Sequence, residues 1–67
     1  MSGILSAAES MAEFIAYRSG EHEDIDFTAD WPRLLRLCRW AYRQGQPAAL
    51  AARLFRQGRD VTEAVAA

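Results

Sequence analysis

Glycine and proline divide the sequence into helix-length segments, and their spacing constrains the fold more than any other feature. Gly20, Gly45 and Gly58 each follow a stretch in which apolar residues recur at helical spacing. Glycine is favoured just after a helix end because it adopts the left-handed backbone conformation without strain. Pro32 and Pro47 open the next segments, where the first helical turn needs no amide donor. The sequence therefore predicts an all-α fold.

We predict a compact bundle of three longer helices and a short C-terminal helix, with an acidic loop after helix 1. The longer helices are expected at about residues 4–18, 31–43 and 48–57. Ser6 and Glu9 have capping-box spacing if the first helix starts a turn later, and Asp30 is the expected N-cap of the second. Asp60 and Glu63 have capping-box spacing for the last helix.

Apolar residues at helical spacing predict the core. On helix 1 they are Ile4, Ala7, Ala8, Met11, Phe14 and Ile15. On helix 2, the expected central helix, they are Trp31, Leu34, Leu35, Leu37, Cys38, Ala41 and Tyr42. On helix 3 they are Leu50, Ala51, Leu54 and Phe55. Ile25 and Phe27 are expected to pin the acidic loop to this core.

The length of 67 residues predicts one small helical domain, residues 1–67. A core of this size is marginal, so dense helix packing or a homodimer is expected to support it. Cys38 is the single cysteine, which rules out a disulfide within the chain and suits a reducing cytoplasm. The sequence has no apolar run that approaches the ~20 residues of a membrane span and no signal-peptide pattern, so we expect a cytoplasmic location.

Catalytic and metal-binding patterns are missing from the sequence. His22 and Cys38 are the only soft metal ligands, whereas a structural zinc site normally needs four. His22 lies between Glu21 and Glu23, where adjacent side chains do not make a preorganised acid–base site. The sequence also lacks a glycine-rich phosphate loop. We therefore expect no enzymatic activity, no metal and no cofactor.

Charge is distributed unevenly along the chain. Residues 1–30 hold seven acidic residues and one arginine, a net charge of −6, and residues 31–67 carry +5. We call residues 21–30 the acidic segment; its acids are Glu21, Glu23, Asp24, Asp26 and Asp30. Either these carboxylates fold back onto the arginines of helix 2, or they face outward and recognise a basic surface.

The polar side of helix 2 is rich in arginine. We call Arg36, Arg39, Arg43 and Trp40 the arginine face, and expect it to be a second interface. A tryptophan among arginines is typical of interface hot spots and can also stack on bases. The alternative is that a neighbouring helix covers Trp40 and the guanidinium groups stack on its ring.

Residues 50–65 resemble the first part of a helix-turn-helix: a helix, a glycine turn, a polar cap and the apolar start of a second helix. This similarity implies a nucleic-acid-binding regulator that uses Arg33 together with the arginine face. The acidic overall composition favours a protein partner over direct nucleic-acid binding.

In size, acidity and lack of catalytic residues, the chain also resembles small phage-encoded inhibitors, including the anti-CRISPR proteins. This likeness is one of general character, and no motif carries it. It implies a non-enzymatic module that presents the acidic segment to a basic, nucleic-acid-binding surface of a partner. A structural subunit of a larger assembly is the third expectation, with Trp40 and the alanine-rich third helix as its contacts.

Overall fold

The computed structural model describes the backbone of residues 6–22 and 25–62, and the side chains of 6–18 and 25–62. Within these ranges the chain forms three helices and no strand: α1 (Ala7–His22), α2 (Trp31–Arg43) and α3 (Ala48–Arg56). α2 packs against both α1 and α3, which makes it the central helix. The radius of gyration is 11.5 Å, close to the ~11 Å of a compact chain of this length. The predicted compact helical bundle is confirmed.

A reciprocal capping box begins α1. The Ser6 N–H donates to Glu9 Oε1 at 3.0 Å, and the Glu9 N–H donates to Ser6 Oγ at 3.1 Å. The helix therefore starts one turn after Ile4, as this spacing predicts.

The predicted end of α1 is wrong, because the helix continues through Gly20 to His22. One glycine in a last turn costs only about 1 kcal/mol, which does not stop a helix that is already propagating. Glu21 is consequently the helix's second-last residue, and a loop spanning all of residues 21–30 is not confirmed.

Gly45 and Gly58 end α2 and α3 in the same way. Their φ angles are 67° and 73°, the left-handed region that glycine adopts freely. After α2, the Gln46 N–H donates to Ala41 O at 2.8 Å; after α3, the Arg59 N–H donates to Leu54 O at 3.1 Å. Each bond closes a Schellman motif. The predicted glycine stops are confirmed at these two positions.

The connection before α2 is a turn at residues 27–30. The Asp26 carboxylate holds this turn by accepting the Thr28 N–H at 3.0 Å and the Thr28 hydroxyl at 2.5 Å. Asp30 precedes α2 as predicted, but its side chain makes no capping hydrogen bond. It is bound to Arg33 instead.

The core lies where the three helices meet and is rich in alanine. Small side chains let the helix backbones approach closely and lose no rotamer freedom on burial. Phe27 also enters the core from the connection, as predicted, and is 2 % exposed. The buried apolar residues are Ala8, Ala12, Ile15, Phe27, Leu34, Leu37, Cys38, Ala41, Ala51, Ala52, Leu54 and Phe55.

Two aromatic residues that were predicted to be buried lie on the surface. Phe14 is 54 % exposed and Tyr42 is 60 % exposed. Each lies at the edge of its apolar arc, and the neighbouring helix covers only the middle of that arc. On α1 the buried residues are Ala8, Ala12 and Ile15, one narrow stripe.

The predicted C-terminal helix lies mostly outside the described residues. Val61 and Thr62 have helical backbone, and Glu63 and the residues after it are not described. In the described part of the chain, no helix combines the length and apolar character that crossing a membrane would need.

Cys38 should be protected from thiol reagents in the folded chain. Its side chain is fully buried, and burial raises the pKa of the thiol to about 11. Because the thiolate is the reactive form, we expect almost no reaction with a disulfide reagent at about pH 8. In concentrated guanidinium chloride, one thiol per chain should react within minutes. Complete reaction in native buffer at the same rate would contradict this packing.

Candidate binding surfaces

The acidic segment is divided between a helix end and a turn. Glu21 lies in the last turn of α1, and Glu23 and Asp24 lie outside the described residues. Asp26 and Asp30 are exposed in the connection to α2. Hydrogen bonds from the Thr28 hydroxyl and N–H lower the pKa of Asp26, so its carboxylate is charged at neutral pH.

Arg33 is a structural residue, although its sequence position suggested an exposed arginine. Its side chain is 16 % exposed, and its Nε donates to Asp30 Oδ2 at 3.1 Å. Its Nη1 donates to Arg59 O at 2.6 Å and to Phe55 O at 3.3 Å. The guanidinium also lies 4.0 Å from the centre of the Phe55 ring. Arg33 therefore joins α2 to the C-terminal end of α3.

Arg36 is paired with Asp60, which follows α3. Arg36 Nη2 lies 2.7 Å from Asp60 Oδ2, and Nε lies 3.1 Å from Oδ1. This two-point contact fixes the orientation of the guanidinium. The hydrogen bond from Arg36, followed by that from the Val61 N–H, lowers the pKa of Asp60 to about 2.

The Asp60 ion pair should make stability depend on pH in the acid range. The ordinary pKa of 3.8 falls to about 2 in the folded chain, so its contribution is complete above pH 3.8 and disappears as pH falls through about 2. We expect Asp60→Asn to lower Tm at neutral pH, and the difference from the wild type to shrink toward pH 2. Equal differences at neutral and acid pH would contradict the pairing.

The arginine face lines one surface hollow of about 350 Å³ on the second half of α2. Trp40 is half-buried and packs against the core, so its ring is part of the wall and not a free side chain. Arg39 and Arg43 are exposed. The hollow is lined by Arg36, Arg39, Trp40, Arg43, Gln44 and Val61.

Four of these six residues could be grouped from the sequence, whereas Gln44, Val61 and the contact with Asp60 could not. The four share a helix face at spacings of three, four and seven, which periodicity detects. Arg36 and Asp60 are 24 positions apart, and only the packing of α3 and the following turn against α2 brings them together.

Comparison with known proteins finds no matching family model, and it gives no significant match among curated proteins or solved structures.

Proposed function

We propose that this chain is a non-enzymatic protein-binding module, which presents its acidic segment to a basic surface of a partner protein. It would act as an inhibitor where that surface normally holds nucleic acid, because aligned carboxylates can take the place of phosphates. This is the mode of action that the resemblance to small phage-encoded inhibitors implies.

The environment of Asp26 carries this proposal. Its carboxylate is exposed and is bound by Thr28, a neutral residue on the same turn. Among the described residues, no arginine forms a salt bridge with Asp26, and Arg36 is engaged by Asp60. The charge of Asp26 is therefore available to an outside surface.

Asp30 supports the proposal more weakly. It is paired with Arg33, yet half of its side chain (51 %) remains exposed. An exposed ion pair of this kind contributes little to the stability of the folded chain, about 0–1 kcal/mol. A basic partner can therefore approach Asp30 from its open side and share the carboxylate.

The test is capture of a partner by the tagged full chain and by charge-neutral variants. Glu23→Gln, Asp24→Asn and Asp26→Asn combined should abolish capture, because asparagine keeps the oxygen acceptor of the Asp26 turn and removes only charge. Glu9→Gln is the matched control, since glutamine preserves a capping box. Capture should be lost in the triple variant, retained in the control, and displaced by added DNA.

Two outcomes would overturn the proposal. Undiminished capture by the triple variant would show that another surface binds the partner. Retardation of DNA by the wild-type chain at low salt, with no protein captured, would favour the nucleic-acid-binding regulator instead.

A further inference from the structure

The hollow on α2 differs in chemistry from the acidic segment. It combines positive charge with an apolar wall and has a volume of about 350 Å³, enough for one or two side chains of a partner. Binding at this surface does not depend on the proposed role of the acidic segment.

Two positive charges in the hollow are available for binding. Arg36 is held by Asp60 at 2.7 Å, which orients this wall but offsets its charge. Arg39 and Arg43 are exposed, and no carboxylate in the described ranges makes a salt bridge with either. They lie one helical turn apart, so their Cβ atoms are separated by about 6 Å.

Trp40 and Val61 supply the apolar part of the hollow. Both are half-buried and pack against the core, so the indole ring is already immobilised before a ligand arrives. Binding to a fixed aromatic surface costs little conformational entropy. Tryptophan and arginine are also the residues that most often dominate interface energetics.

The charge balance argues against nucleic acid as the ligand. Non-specific affinity for a nucleic acid grows with the number of phosphates neutralised. The hollow offers two arginines without a described ion pair, beside the carboxylate of Asp60, on a chain with a net charge of −1. A short acidic peptide from a partner protein needs only two such contacts.

The acidic segment of a second copy is also a poor fit. It has carboxylates, but the two apolar side chains beside them are engaged elsewhere: Phe27 is buried, and Ile25 is half-buried against the core. Neither is free to lie on Trp40 of another copy.

We propose that the hollow binds an acidic peptide segment of a partner protein. Two carboxylates about 6 Å apart, such as residues i and i+4 of a helix, pair with Arg39 and Arg43. An apolar side chain of the same segment packs on Trp40 and Val61.

The probe is the peptide Glu-Glu-Leu-Ala-Glu-Glu-Leu-amide, labelled with fluorescein at its N-terminal amine and titrated with the full chain at low salt. We expect a saturable rise in anisotropy and at least a tenfold weaker affinity for Arg39→Gln/Arg43→Gln. Arg53→Gln, an exposed arginine of α3, is the matched control and should leave the affinity unchanged. Circular dichroism confirms that all three proteins are folded.

The apolar contact is tested with a second peptide in which glycine replaces both leucines. The wild type should bind this peptide more weakly than the leucine peptide. Trp40→Leu should bind the two peptides equally. Absence of saturable binding, or equal binding by Arg39→Gln/Arg43→Gln, would overturn the proposal. If a labelled oligothymidine binds more tightly than the peptide, the hollow is a nucleic-acid site. If sedimentation shows a dimer that Arg39→Gln/Arg43→Gln dissociates, the hollow is an interface between two copies of this chain.

Discussion

Replacing Phe27 by alanine is expected to remove about 3–5 kcal/mol from the free energy of unfolding. A 67-residue chain has a total of only about 3–10 kcal/mol to lose. The variant should therefore lose a large share of its stability at 25 °C, with Tm lowered by about 15–30 °C. Urea unfolding followed by circular dichroism measures the free energy of unfolding, and thermal unfolding measures Tm.

The size of this effect follows from what Phe27 contacts. Its ring is 2 % exposed and its centroid lies 4.9 Å from that of Phe55. The Arg56 guanidinium lies 5.5 Å from the same ring. Alanine would leave a cavity between the connection and α3, and the segment that carries Asp26 would lose its buried anchor.

Phe14→Ala is the matched control for this substitution. Phe14 is 54 % exposed, so the same chemical change removes much less buried surface and should cost less than about 1 kcal/mol. Equal losses for the two variants would mean that Phe27 is not the anchor of the connection.

The helices could be predicted from the sequence because their signals are local. The Ser6–Glu9 capping box and the glycine stops at Gly45 and Gly58 each depend on residues within one turn. The end of α1 was mispredicted for a related reason. Gly20 carries the same local signal, but one glycine in the last turn destabilises a helix too little to end it.

Burial was harder to predict than helix position. Helical periodicity identifies an apolar arc, but the width of the arc that is covered depends on how closely the neighbouring helices approach. Alanines make up much of the buried interface, and Phe14 and Tyr42 at the arc edges are exposed. Ala12 and Ala52 are buried, although their small side chains give a weak periodic signal.

The arginines of α2 illustrate the same limit for the candidate sites. Sequence spacing placed Arg33, Arg36, Arg39 and Arg43 on one polar arc, yet they have three different environments. Arg33 is bound by backbone carbonyls of the α3 end, Arg36 by Asp60, and Arg39 and Arg43 face the hollow. These partners lie more than 20 positions away along the chain, and no local pattern identifies them.

Replacing Arg33 by alanine is expected to lower the free energy of unfolding by about 2–3 kcal/mol. The change removes the hydrogen bonds to Phe55 O and Arg59 O, the Asp30 ion pair, and the stacking on Phe55. It also removes a cation from the C-terminal end of α3, where positive charge is favourable. Tm should fall by about 10–20 °C in thermal unfolding followed by circular dichroism.

Two further variants separate the causes. Arg33→Lys keeps the charge but has no planar fork to bridge two carbonyls or stack on Phe55, so it should recover less than half of the loss. Arg53→Ala, at an exposed position on α3, should change stability by less than about 0.5 kcal/mol. If lysine restored full stability, charge alone would explain the role of Arg33, and its side chain would be free to join the arginine face. If it does not, Arg33 is committed to the fold, and Arg39 and Arg43 are the arginines that line the hollow without a salt bridge among the described residues.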